Sequence, residues 1–158
     1  MLYDSIEVAK FLVSYAASMG HQFSVTKTQK LLYIMYGLWL AKKNERLLEE
    51  YPQAWQFGPV FPRTGTKKTR YLYEGTIPLE QVSPELRENK DLERLIDLTI
   101  RKFGHFSASK LVAWSHEKNS PWDKVKKETD SSWSVQIPDQ YTKEYFLEYV
   151  DSYDFTAA

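Results

Sequence analysis

The chain has 158 residues, a length typical of one domain that buries about two-thirds of the surface of its unfolded chain. Its 21 basic residues balance 21 acidic ones, so the overall charge does not favour binding to the phosphates of nucleic acid. Because there is no cysteine, disulfides, thiolate nucleophiles and cysteine-ligated metals are excluded. We expect a single domain over residues 1–158 with a disordered tail at its last few residues. No secretory signal is evident, so we expect a cytoplasmic protein.

The first predicted element is a helix that Asp4 or Ser5 caps and that runs to about Ser18. Gly20 ends it, because glycine readily adopts the left-handed conformation that closes a helix. Apolar residues recur along this segment at helical spacing, which predicts a wide buried face. Only a few residues separate this helix from the next one, so we expect the two helices to pack against each other.

The central helix is predicted from a cap at Ser24 or Thr26 to about Lys43. From Leu31 to Ala41 no residue is charged, but this run is about half of the roughly 20 apolar residues that cross a membrane. We therefore expect a buried helix in a soluble core, with Gly37 at a close approach of a neighbouring backbone or ring. Tyr33, Tyr36 and Trp39 are interpreted as core residues. The expected neighbours of the central helix are the first helix, the Trp55–Pro59 turn and the Leu92–Phe103 helix.

A short extended segment is predicted around Leu47–Leu48, and a second one follows at Ala54–Pro62. In the second segment Trp55 and Phe57 alternate with polar residues before a glycine–proline turn, which is typical of a strand that turns sharply. Trp55 is interpreted as a core anchor. Residues 64–73 are expected to form a helix, although Gly65 weakens that prediction.

The rest of the chain predicts a polar connection and four further helices. The connection spans residues 78–89, and the apolar face of the last helix is expected to consist of Tyr141, Tyr145, Phe146 and Tyr149. The expected helices span residues 91–103, 107–116, 121 to about 127, and 138 or 139 to about 150. The predicted fold is mainly α: a compact bundle of about six helices around a buried central helix, with one or two very short strands.

Residues for catalysis or metal binding do not form a recognisable pattern. The three histidines, His21, His105 and His116, are far apart and match no metal-ligand spacing. No phosphate-binding loop or nucleophile motif is present in the sequence. We interpret His116 as a helix-end residue that hydrogen-bonds a backbone carbonyl. We therefore expect no catalytic residue, no metal and no cofactor.

A basic stretch follows the predicted turn. Arg63, Lys67, Lys68 and Arg70 carry four positive charges, and no acidic residue lies between Trp55 and Glu74. One interpretation is the solvated face of a helix. The other is a basic patch that binds an acidic protein or RNA. The sequence leaves both open.

Several short motifs, in order, resemble a known family. The segments Thr28–Tyr33, Gly37–Ala41 and Ala54–Val60 resemble the signature of the Panacea domain, found in phage-associated, SocA-like antitoxin proteins. The opening segment Tyr3–Phe11 and the downstream segment His116–Trp122 are similar to other parts of the family pattern. Thr28 and Phe57 stand where the pattern has leucine and tyrosine. The residues that carry the resemblance, expected to be structural, are Gln29, Lys30, Leu31, Leu32, Tyr33, Gly37, Trp39, Trp55, Gly58, Pro59, His116, Pro121 and Trp122.

The resemblance implies a bacterial or phage protein that is not an enzyme and that neutralises a co-encoded toxin by direct binding. Delivery of the toxin to a protease or chaperone is a further expectation. The many tyrosines and tryptophans agree with a protein-binding surface. Residues expected to contact the partner are Trp55, Phe57, Pro59, Arg63, Lys67, Lys68, Arg70 and Tyr71.

Two other functions stay open at this point. The first is a nucleic-acid-binding transcriptional regulator of phage or mobile-element origin, with Ser107–His116 in a helix-turn-helix-like arrangement, although the balanced charge makes nucleic acid an unfavoured partner. The second is a hydrolase or transferase of unrecognised type, which would need a pocket where polar groups converge. Neither requires a membrane, and the oligomeric state does not follow from the sequence.

Overall fold

The computed structural model describes residues 2–129 and 134–156, and this part of the chain is mainly helical, as predicted. The helices are α1 Ser5–Ser18, α2 Val25–Lys43, α3 Pro84–Arg87, α4 Lys90–Phe103, α5 Ala108–Ser115, α6 Pro121–Thr129 and α7 Asp139–Leu147. The strands are β1 Gln53–Trp55, β2 Gly58–Val60 and β3 Val135–Gln136, and 3-10 turns span Pro62–Gly65, Lys67–Tyr73, Leu79–Gln81 and Val150–Ser152. Residues 157 and 158 of the predicted tail lie outside the described residues, whereas Phe155 is buried.

Helix α2 is the centre of the fold. All residues from Thr28 to Ala41 are buried, which confirms the predicted central helix and the core positions of its aromatic side chains. Ser24 caps its N-terminus by accepting a hydrogen bond from the backbone N–H of Lys27 at 3.2 Å. Asn44 ends it in the left-handed conformation, with φ of 56°. Helices α1, α4 and α5 and strand β2 all pack against α2.

Helix α7 makes the most extensive contact with α2, although the sequence analysis did not include it among the neighbours. The contact is close because Gly37 has no side chain: a Cβ atom there would lie 2.0 Å from Cδ2 of Phe146. The Tyr33 and Thr142 hydroxyls add a buried hydrogen bond of 2.8 Å. The expected close approach of a ring to Gly37 is therefore confirmed.

The predicted apolar face of the last helix is confirmed at Phe146 but wrong at Tyr149. The buried row is Thr142 and Phe146 of α7 with Val150 just beyond it, whereas in the neighbouring row of tyrosines Tyr149 is 41% exposed. Both rows have helical spacing, so periodicity alone does not separate them. The close packing at Gly37 selects the row that contains Phe146.

The strands form a small antiparallel sheet in the order β2-β1-β3. Strands β1 and β2 are a hairpin in which Gln53 pairs with Val60 and Trp55 with Gly58. This hairpin confirms the predicted strand with a sharp turn, and β3 pairs with the other edge of β1. Earlier in the chain, Leu48 forms an isolated parallel β-bridge with Tyr3, in agreement with the extended segment predicted around Leu47–Leu48.

The helix predicted over residues 64–73 is instead two 3-10 turns. Thr66 separates them because its backbone is extended, with φ of −93° and ψ of 173°. The hydroxyl of Thr69 accepts a hydrogen bond from the Thr66 N–H at 3.0 Å, which starts the second turn anew. The polar connection at residues 78–89 also contains short helical turns, and these bury Val82 and Leu86.

Candidate partner-binding site

The tip of the β1–β2 hairpin presents apolar side chains to solvent. Trp55 is 40% exposed and Phe57 is 61% exposed, so the interpretation of Trp55 as a core anchor is wrong. Both residues line a cleft of about 290 Å³, which we call the hairpin cleft. Its other apolar walls are Val25, Val60 and Pro62. The tip therefore combines exposed aromatic surface with a concave site.

Gln29 of α2 fixes the strand that leaves the hairpin. Its Oε1 accepts a hydrogen bond of 2.7 Å from the backbone N–H of Phe61, and its Nε2 donates to the Thr64 hydroxyl at 2.7 Å. Gln29 is buried, so these bonds satisfy polar groups that water does not reach. The motif residue thus attaches the segment after the hairpin to the central helix.

Lys30 fixes the hairpin itself. Its Nζ donates a hydrogen bond of 2.9 Å to the carbonyl oxygen of Pro59, and its side chain is buried. Burial lowers the pKa of Lys30 to about 8. Gly58 is needed in the same place, because its φ is 109° and a Cβ atom there would lie 2.8 Å from Cε of Lys30. Since Pro59 is buried, the accessible residues among those predicted at the tip are Trp55 and Phe57.

Trp122 and His116 hold the other side of the tip. The indole N–H of Trp122 donates a hydrogen bond of 2.7 Å to the carbonyl oxygen of Trp55. The His116 ring stacks on Trp122, with centroids 3.8 Å apart and an angle of 12° between the rings. Burial, together with the nearby positive charge of Lys30, lowers the pKa of His116. His116 lies at the end of α5 as predicted, but its buried Nε2 has no hydrogen-bond partner within residues 2–129 and 134–156.

Replacing Trp122 with phenylalanine should loosen the hairpin tip. The change keeps an aromatic ring against His116 but removes the N–H that bonds the Trp55 carbonyl, and we expect a loss of about 1 kcal/mol. Hydrogen exchange measured by NMR should accelerate at the amides that join β1 and β2 and stay unchanged in α4. Unchanged exchange at the hairpin would contradict the role given to Trp122.

The predicted basic residues are exposed, and two of them form ion pairs. Nη1 of Arg63 lies 3.2 Å from Oδ1 of Asp4, and Nε of Arg70 lies 3.8 Å from Oε1 of Glu74. Lys67 and Lys68 form no ion pair with any described residue. Tyr71, in the same turn as the lysines, is 49% exposed. Of this segment only Pro62 and Gly65 line the hairpin cleft, so the charged residues lie beyond its walls.

A second concave surface was missed by the sequence analysis. It is an apolar groove of about 680 Å³ beside α5 and α7. Aromatic side chains dominate its lining: Phe103, Phe106, Trp114, Tyr145, Tyr149 and Tyr153. Tyr145 of α7 and Tyr149 just beyond it, both expected in the core, contribute to this groove, whereas Tyr141 does not line it. The four-residue spacing of Tyr145 and Tyr149, which places both on one face of a helix, was the sequence signal that could have indicated the groove.

The described residues show neither a metal-binding cluster nor a membrane-spanning helix. Within the described ranges, no cluster of three or more histidine or acidic side chains could hold a metal ion. None of the described helices has the length and apolar character needed to cross a bilayer. Helix α5, the expected recognition helix of a DNA-binding arrangement, contains Lys110 as its single basic residue, which provides few phosphate contacts.

Comparisons with known proteins agree with the motif pattern. The profile of the family described as "Antitoxin SocA-like, Panacea domain" matches residues 28–123. The chain is 30% identical to the protein named Antitoxin SocA of Caulobacter vibrioides over 156 residues, which covers 90% of this chain and 82% of the relative. No solved structure gives a significant match. The segment matched by the family profile contains the hairpin, α2 from Thr28 onward and the His116–Trp122 contact.

Proposed function

The chain belongs to the SocA-like Panacea domain family, and we propose that it is a non-enzymatic antitoxin that neutralises a co-encoded toxin by direct binding. The name of the relative from Caulobacter vibrioides supports this proposal. Such a protein acts where the toxin acts, so we place it in the cytoplasm. Delivery of the bound toxin to a protease or chaperone would be a second step of the same mechanism.

The observation that carries the proposal is an exposed aromatic tip on a rigid support. Exposed tryptophan and phenylalanine side chains are costly to keep in water and are enriched where proteins bind each other. Here Trp55 and Phe57 remain exposed although α2 and α6 fix the hairpin from two sides, by bonds to the carbonyls of Pro59 and Trp55. Because the tip is already ordered, binding a partner requires little further loss of conformational entropy.

We propose that the toxin contacts the tip and the neighbouring basic segment. The tip supplies Trp55 and Phe57 as apolar anchors, and Tyr71 adds a third exposed ring. Lys67 and Lys68 would face acidic groups of the toxin, which speeds association and helps select the partner. Arg63 and Arg70 already pair within the chain, so they would contribute less.

Co-expression tests the proposal directly. The gene beside this one is induced in a bacterial host with and without the present chain. We expect the neighbour alone to arrest growth and the pair to grow normally. A chain with Gly37 replaced by aspartate, which places a charge against the Phe146 ring, is the unfolded control. A neighbour that is harmless alone, or that stays toxic in the presence of the intact chain, would refute the proposal.

A further inference from the structure

Lys30 is an unusual residue for the position it occupies. It lies in the most buried part of α2 and is only 1% exposed. An ammonium group has three N–H donors, and one of them reaches the carbonyl oxygen of Pro59. No carboxylate of the described residues forms an ion pair with it. A buried positive charge without a counter-charge is costly, so a purely structural role at this position would be served equally well by a neutral donor.

The groups around Lys30 leave its charge uncompensated. Ser115 lies close by, since a Cβ atom on Gly58 would approach its Oγ to 2.4 Å, but this hydroxyl, which donates to the Val112 carbonyl, carries no negative charge. His116 on the same side stays neutral at neutral pH, because burial and the Lys30 charge both lower its pKa. Burial also lowers the pKa of Lys30, yet only to about 8, so the amine is still mostly protonated near pH 7.

Lys30 lines the hairpin cleft, and its Nζ is bonded to the strand that forms one side of the cleft. The cleft also has apolar walls from Val25, Trp55, Phe57, Val60 and Pro62. Gln29 also lines the cleft, but its amide is already bonded to Phe61 and Thr64. Lys30 is therefore the cationic group among the described lining residues. A volume of about 290 Å³ accommodates an amino-acid-sized group that has an apolar body and one negative charge.

We propose that the hairpin cleft is a carboxylate site, in which a carboxylate of the partner protein pairs with the Lys30 ammonium while apolar atoms beside it pack on Trp55 and Phe57. This inference rests on the proposed function, because it identifies the chemical group through which the toxin enters the cleft. The carboxylate belongs either to the C-terminus of the partner or to an acidic side chain. Pairing in a desolvated cleft gives a charge-assisted hydrogen bond that is stronger than one at the surface.

Three small probes test the site without any toxin. N-acetylleucine represents a chain end with a carboxylate, N-acetylglutamic acid α-amide represents an acidic side chain, and N-acetylleucinamide is the neutral control. Each is titrated into the isotopically labelled full chain at millimolar concentration, and NMR follows the indole N–H of Trp55 and the Nζ resonance of Lys30. We expect a saturable shift of both signals with at least one carboxylate probe, and that probe identifies the source.

Two variants make the result specific to Lys30. Lys30→Met keeps the length of the apolar stem and should weaken binding of the carboxylate probe on the order of tenfold, the loss of one charge-assisted bond. Lys102→Met removes an exposed charge on α4, outside the cleft and outside the proposed toxin surface, and should leave binding unchanged. In the unmodified chain the bound carboxylate should also raise the measured pKa of Lys30, which tests the contact even where Lys30→Met does not fold.

The remaining outcomes would overturn the proposal. Absence of a saturable shift with both carboxylate probes excludes a carboxylate site. Equal binding of the neutral control shows that the cleft recognises apolar groups alone. An unchanged pKa of Lys30 in the presence of a bound probe excludes the ion pair. Since none of these measurements contains the toxin, they are independent of the co-expression test, and failure of the carboxylate site is distinguishable from failure of the antitoxin proposal.

Discussion

Replacing Gly37 with alanine is expected to destabilise the chain by about 2 kcal/mol, although alanine is the better helix former. In an exposed helix this substitution would stabilise by about 1 kcal/mol. Here the new Cβ atom would lie 2.0, 2.1 and 2.6 Å from three carbons of the Phe146 ring. Such overlap forces the ring and α7 away from α2, and overpacking of this kind costs about 1–3 kcal/mol or more. The midpoint temperature of thermal unfolding should fall by roughly 4–8 °C for a domain of this size.

A double-mutant cycle separates the steric effect from other causes. Phe146→Ala alone removes a buried ring and should cost about 3–5 kcal/mol. In that background Gly37→Ala no longer meets the ring, so it should be neutral or slightly stabilising. Urea denaturation followed by circular dichroism gives all four free energies of unfolding. A neutral effect of Gly37→Ala in the unmodified chain would show that α7 does not pack on Gly37 as described.

Replacing Phe57 with aspartate is expected to abolish most of the affinity for the toxin while leaving the fold intact. Phe57 is 61% exposed, and surface substitutions usually change stability by no more than about 0.5 kcal/mol. In a complex the same side chain would be a central apolar anchor, whose loss typically costs 2 kcal/mol or more, roughly a 30-fold weaker Kd. Surface plasmon resonance with the immobilised toxin measures this change.

Tyr149→Asp is the matched control for Phe57→Asp. Tyr149 is also an exposed aromatic residue, at 41%, but it lines the apolar groove beside α5 and α7 rather than the hairpin cleft. We expect this variant to bind the toxin with unchanged affinity. If Tyr149→Asp weakens binding and Phe57→Asp does not, the partner occupies the groove, and the surface proposed at the hairpin is wrong.

The scaffold was largely predictable because its signals are local. The uncharged run from Leu31 to Ala41 is too apolar for the surface and too short for a membrane, so it predicts a buried helix. Caps at Asp4 and Ser24 begin α1 and α2 where capping chemistry indicates. The glycine–proline turn indicates the hairpin.

The parts that were not predictable depend on contacts between distant segments. Which row of α7 is buried depends on Gly37, more than a hundred residues earlier, and the helical period of α7 alone allows either choice. The position of Trp55 was not predictable for the same reason. Its large apolar side chain suggests a core position. Its exposure follows from the hairpin geometry and from the bond that Trp122 makes with its carbonyl.

The candidate site could be predicted as a segment but not as a surface. The sequence places Trp55, Phe57 and the basic residues close together along the chain. It does not indicate that Pro59 is buried or that Lys30 lines the hairpin cleft, since both facts depend on how β2 packs on α2. The large aromatic groove lies between three segments and leaves only a weak trace in the pattern of α7.

Direct binding is the central claim, and isothermal titration calorimetry measures it most directly. The purified chain is titrated with the purified product of the neighbouring gene, in an inactivated form that can be expressed alone. We expect a saturable heat signal with Kd below about 1 μM and a negative change in heat capacity, because apolar surface at Trp55 and Phe57 becomes buried. Absence of any binding signal at concentrations where both proteins are folded would contradict the proposed mechanism.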